Sequence, residues 1–146
     1  MNYKDLAEKL DHANSDTFWQ GSADESQIDK LEELLSLQFP EDFKEFLKQL
    51  GGGGVTDSEI SGIEDNDSTI DYGGTVYGDT LSAREDYNLP EHLAVIFFKD
   101  DEICWCIDTN SPKGEVISFD VFKQEVNSKI ADSFERFFHE YVSLRV

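Results

Sequence analysis

The chain predicts an α+β fold with a central antiparallel sheet, on three observations. Its first half spaces apolar residues as helices do, and its second half holds three short β-branched and aromatic runs parted by turn clusters. The last residues then return to helical spacing. Helices, then a meander, then a closing helix keep the two kinds of element apart, unlike the alternation of parallel α/β folds. N-terminal helices and the C-terminal helix are therefore expected to pack on the sheet. At 146 residues with 11 phenylalanines, the chain reads as a single domain, 1–146, able to bury a core without disulfides or metal.

Tyr3, Leu6, Ala7 and Leu10 predict a short helix over 3–13. The stretch NSDTFWQGSADES then interrupts with turn formers. Ser22 with Glu25 three residues on has the form of a capping box, and Ile28, Leu31, Leu34 and Leu35 line one face of a helix over 24–36. A third helix opens at Phe39-Pro40, with proline in its first turn and Glu41 and Asp42 at the positive end of its dipole. Phe43, Phe46, Leu47 and Leu50 form its stripe, and Gly51 ends it in left-handed backbone.

Gly51 to Gly54 raise the question of a phosphate cradle. Such a cradle leads into a helix, whose N-terminus then faces the anion. Here the helix comes first and no Lys-Ser or Lys-Thr comes after it, so the glycines are expected to turn the chain sharply out of the helix.

Ile60 and Ile63 hint at a short strand within a polar loop. Asp65, Asp67, Thr69 and Asp71 alternate as in a calcium loop, but Ile70 and Val76 stand where that loop needs Gly and Glu. YGDTLSAREDYNLP suits a helix ended by Pro90. LAVIFFK, EICWCID and GEVISFD are then three strands of a meander. In the middle one, Ile103, Trp105 and Ile107 share a face and Cys104, Cys106 and Asp108 the other, so helices should cover at least one. DSFERFFHEYV carries a cap signature, Asp132 with Glu135. Its stripe of Phe134, Phe137, Phe138, Tyr141 and Val142 is expected to be core.

Charge bounds the function. Twelve Lys and Arg face 32 Asp and Glu, a formal net of −20, which disfavours nucleic acid and anionic membrane as partners. Residues 57–102 hold thirteen acids against two bases, Arg84 and Lys99, whereas 103–146 hold seven against five. No apolar run approaches a membrane span, and the N-terminal stretch has no signal-peptide core, so a cytoplasmic product is expected. Cys104 and Cys106 are too few for zinc and badly placed for an unstrained disulfide; no metal or other cofactor is expected. His12, His92 and His139 sit in no catalytic motif. With 32 acids, paired carboxylates carry no information about catalysis.

IDKLEELLSLQFPEDFKEFLKQLGGGG resembles the signature of the SUKH superfamily, through Ile28, Glu32, Pro40, Asp42, Phe43, Lys44, Phe46, Leu47, Gly51 and Gly52. CWCIDTN and IADSFERFF are similar to the family's later strand end and last helix, so the likeness runs over about 25–140, and it is strongest to the YobK-like proteins of bacilli. Phe39 and Phe43 stand where Leu and Tyr are usual. The resemblance implies an α+β fold and a non-enzymatic, protein-binding role. In bacteria that role is immunity against a polymorphic, often nuclease, toxin encoded nearby; in eukaryotic relatives it is a regulatory or scaffold module. A nuclease toxin carries Lys and Arg around its cleft, so an acidic surface would steer it in. Asp65, Asp67, Asp71, Asp79, Asp100, Asp101 and Glu102, with Tyr72 and Tyr77 as anchors, are the expected toxin-binding residues.

Overall fold

The computed structural model describes residues 2–13 and 16–146. Its helices are α1 (Tyr3–Ala13), α2 (Glu25–Leu35), α3 (Glu41–Gln49), α4 (Val76–Tyr87) and α5 (Phe134–Ser143), with a 3-10 turn at Glu64–Asn66. The strands are β1 (Thr17–Trp19), β2 (Gly53–Val55), β3 (Leu93–Lys99), β4 (Ile103–Asp108), β5 (Val116–Asp120) and β6 (Glu125–Ala131). β1 and β2 form a small antiparallel pair, and β3-β4-β5-β6 form the expected meander with one strand more.

The alternation within β4 divides the interior in two. Cys104 and Cys106 pack with Val95, Ile117 and Phe119 beneath Ala83 of α4 and Leu89. On the opposite face Ala94, Ile96, Ile107 and Val116 meet the apolar stripes of α1, α2, α3 and α5. Both faces of the central strands are therefore covered. The second core is aromatic: Phe134 lies 4.9 Å from Phe43 and 4.8 Å from Phe46 between ring centroids, and Tyr3 lies 5.4 Å from Phe138. Trp105 is half-buried, stacked on Phe97 at 4.8 Å.

The polar residues of the helical motif fasten elements together. Glu32 accepts the Phe39 N–H at 2.7 Å and stands 3.6 Å from the Lys44 ammonium, closing the α2–α3 turn. Asp42 accepts the Phe43 N–H at 2.8 Å and, at 3.0 Å, the N–H of Glu135 in the first turn of α5. A carboxylate from α3 thus satisfies an orphan donor of a helix 93 residues away. These motif residues hold the scaffold.

The four glycines lie where three backbones meet. A Cβ on Gly51 would fall 1.9 Å from the Gly21 carbonyl oxygen, and one on Gly53 would fall 2.1 Å from that of Phe18. All four take positive φ, from 74° to 142°. Gly53 exchanges backbone bonds with Ile60 at 2.9 Å each way, and the Gly51 and Gly52 carbonyls accept from Ile63 and Gln20. No strand forms around Ile60 and Ile63; single bridges join Gly53 to Ile60 and Gly62 to Thr75.

Several local expectations are corrected. The Ser22–Glu25 box does not form, because the α2 N-cap is Asp24, which makes no side-chain cap bond. Pro40 is the N-cap of α3, in extended backbone one residue ahead of the helix. Ser133 caps α5, its hydroxyl accepting the Arg136 N–H at 3.2 Å, while Asp132 is held by Lys129 at 2.6 Å. The TFW stretch expected as turn is β1, and β6 was not anticipated. Asn14 and Ser15, expected in the turn after α1, lie outside the described residues.

Candidate functional site

Of the acids singled out from sequence, Asp65, Asp67 and Asp71 fall on the loop 64–74 before α4, Asp100, Asp101 and Glu102 on the β3–β4 hairpin tip, and Asp79 within α4 itself. The loop is tied down at both ends. At its start the Asn66 side chain accepts the Asp24 N–H and donates to the Asp24 carboxylate, each at 2.8 Å, and Gln27 accepts both the N–H and the hydroxyl of Ser68. Asp65 and Asn66 both take left-handed φ, 52° and 53°, which Asp and Asn tolerate better than other side chains. Asp67 accepts the N–H and hydroxyl of Thr69, and these bonds hold its pKa below the ordinary value, with a smaller contribution from Lys30.

At its far end the loop closes on α4. The Thr75 hydroxyl lies 2.9 Å from the Ile70 carbonyl and 2.8 Å from that of Tyr72, and it caps α4 by accepting the Gly78 N–H at 2.9 Å. Asp79, one turn into the helix, is only 6% exposed; its carboxylate accepts the Ser61 hydroxyl at 2.6 Å and the Gly74 N–H at 3.2 Å. Burial raises its pKa against the pull of those two bonds, and the charge of Asp101 adds to the rise.

The hairpin tip has its own structural reason for aspartate. Asp100 and Asp101 take φ of 55° and 50°, and the Glu102 N–H donates to the Lys99 carbonyl at 3.0 Å, the pattern of a type I′ turn.

Asp65, Asp67, Asp71, Asp100, Asp101 and Glu102 are exposed, and Tyr72 is 69% exposed. Tyr77 is half-buried against the core, and Asp79 lies beneath the surface as the loop's support. Asp71 and Tyr72 lie against the start of α4, where their carbonyls back Gly78, while Asp65 and Asp67 sit beside α2, and the hairpin leading to 100–102 packs Phe98 on Tyr87 at the other end of α4. Asn66 and Ser61, which hold this surface, were not anticipated; the Asp-Asn pair was the available signal, as a left-handed turn.

Among the described residues the Lys, Arg and His ion pairs involve Glu25, Glu32, Glu41, Asp108, Asp132 and Glu140, and none includes an acid between 57 and 102. Arg84, one of the two bases there, is turned to the carbonyls of Leu35 and Glu91 at 2.9 and 2.8 Å. The exposed acids of 64–74 and 100–102 therefore have no ion-pair partner among the described residues. Among the described residues no three His, Cys, Asp or Glu side chains gather to hold a metal ion, and no helix is long and apolar enough to cross a membrane.

The SUKH_5 family model, described as SMI1-KNR4 cell-wall, matches residues 3–143. Among solved structures, that of a protein from Pseudomonas syringae pv. tomato is similar in fold, with a TM-score of 0.68 at 21% identity, over 94% of this chain and 96% of that one.

Proposed function

The chain belongs to the SUKH family, and from that premise we propose that it is an immunity protein that binds and neutralises a toxin encoded beside it. The observation that carries this reading is the unpaired acidic surface: the exposed carboxylates of 64–74 and 100–102 have no Lys or Arg within ion-pair distance among the described residues. A cluster that a free protein leaves unneutralised suits a basic partner, whose approach it accelerates. A nuclease toxin is such a partner, since its cleft must attract phosphates. Tyr72 stands among these acids as a rigid amphipathic anchor.

The scaffold supports docking on a preformed surface. The loop is fastened by Asn66, Ser68, Thr75 and Asp79, so little ordering entropy remains to oppose binding. The family description, with its reference to the cell wall, favours a second reading as a regulatory or scaffold module. Gene position separates the two, because an immunity gene adjoins its toxin gene.

The test is co-expression with the adjacent toxin. Cells should survive with the wild-type chain and lose protection when Asp71, Tyr72 and Asp101 are replaced together by Lys, Ala and Asn. Killing despite soluble wild-type expression would refute the proposal.

A further inference from the structure

Gly78 weakens α4 where it stands. It lies in the first turn of the helix, and glycine is a poorer helix former than any residue but proline. It does not take positive φ, so no backbone conformation calls for it. Space does. A Cβ at this position would overlap the backbone carbonyl oxygens of both Asp71 and Tyr72. Glycine thus lets the turn through Asp71 and Tyr72 lie directly on the helix.

The polar residues around Gly78 serve the same turn. Of the buried Ser, Thr and Asp residues, which are Ser61, Ser68, Thr75, Asp79 and Thr80, three attach it. The Thr75 hydroxyl faces the Tyr72 carbonyl at 2.8 Å, and the Asp79 carboxylate accepts the Gly74 N–H at 3.2 Å. The Ser61 hydroxyl donates to that carboxylate at 2.6 Å. Burying a carboxylate and placing glycine in a helix both oppose stability. What the turn displays is Tyr72, 69% exposed and part of neither core, beside the exposed Asp71. The fold gains little from that ring. Departures from local preference gathered beneath it point to a surface shaped for contact.

We propose that Gly78 is a positioning residue for partner binding: it seats the 71–74 turn on α4 and so fixes Tyr72, with Asp71 at its side, as one preformed contact point. Held this way, the tyrosine meets a partner without first having to be ordered. Gly78 is itself buried and acts through the turn alone. Any other residue forces the turn off the helix and carries Tyr72 with it. The exposed acids stay the same in number, so long-range steering is unchanged.

This inference rests on the toxin-binding reading of the acidic surface, and kinetics separate the two. Surface plasmon resonance gives association and dissociation rates of the purified full chain with the catalytically inactivated toxin encoded beside it. Wild type, Gly78→Ala, Tyr72→Ala and the double variant are compared. Gly78→Ala should leave association within about twofold and speed dissociation by about tenfold or more. Tyr72→Ala should do the same. Adding Gly78→Ala to it should change dissociation by less than about twofold, because the side chain being positioned is gone. A purely structural role for Gly78 would speed dissociation equally in both backgrounds. Thr75→Val, which removes the hydroxyl facing the Tyr72 carbonyl, should show the same dependence on Tyr72, and it replaces Gly78→Ala in the cycle if circular dichroism shows that variant unfolded. Strict additivity, or a folded Gly78→Ala or Tyr72→Ala that dissociates at the wild-type rate, would overturn this inference alone. A wild-type chain that does not bind would overturn it together with the reading beneath it.

Discussion

Replacing Tyr141 by Phe removes one oxygen and tests how the C-terminal helix is locked to the glycine turn. That hydroxyl accepts the Val55 N–H at 3.0 Å and donates to the Ser58 carbonyl at 2.7 Å, partners 86 and 83 residues away. The side chain is 3% exposed, so water does not readily replace the lost oxygen. Two hydrogen bonds of about 1 kcal/mol each, with a backbone donor left unsatisfied, give a loss of roughly 2–3 kcal/mol. For a chain of this length that lowers the melting midpoint by about 4–10 °C. The ring, its contacts with Phe137 and Phe138, and the Arg145 guanidinium 3.8 Å above it all remain. Gly54 supplies the cross-check, because a Cβ there would lie 2.2 Å from the same hydroxyl. Gly54→Ala should therefore cost less in the Tyr141→Phe background than in wild type, with a coupling of about 1 kcal/mol or more. Urea unfolding of the four proteins measures both quantities. A Tyr141→Phe loss below about 0.5 kcal/mol, or strict additivity with Gly54→Ala, would refute the latch.

Asp79 has its pKa raised above 3.8 by burial, so the folded state holds a proton more readily than the unfolded state does. Its contribution to stability accordingly grows as pH falls through the folded pKa toward the unfolded value. Wild type should gain stability relative to Asp79→Asn between neutral pH and the ordinary aspartate range, as thermal melts across pH would show. Ser133→Ala removes the α5 cap and should cost about 1 kcal/mol in chemical denaturation, whereas Asp132→Ala, in an exposed ion pair with Lys129, should cost much less.

The sequence and the structure agree where burial is one-sided or long. α1 is found at its expected residues because Tyr3, Ala7 and Leu10 repeat at one face of a helix and are buried there. β3, β4 and β5 carry the β-branched and aromatic residues that a covered sheet selects. β6 was missed for the opposite reason: a strand exposed on both faces has no apolar alternation to show. β1 and β2 were missed because three residues, two of them glycines in β2, leave no periodicity and are defined by backbone contact with distant segments. Caps shifted by a residue or two, since several Ser and Asp residues near a helix start can compete and tertiary partners decide. At the candidate site, composition located the acids but could not tell Asp71 on the surface from Asp79 beneath it. Only the meeting of Ser61 and Gly74 around that carboxylate makes the distinction.

The most direct test of the central claim is the association rate with the adjacent toxin, followed by stopped-flow over increasing salt. It compares wild type with a variant carrying Asp65→Asn, Asp71→Lys and Asp101→Asn; asparagine is used at 65 and 101 because it tolerates their left-handed backbone. The wild-type rate should fall by about tenfold or more as salt screens the acidic surface, while the variant starts slow and changes little. Equal rates for the two proteins, insensitive to salt, would contradict it.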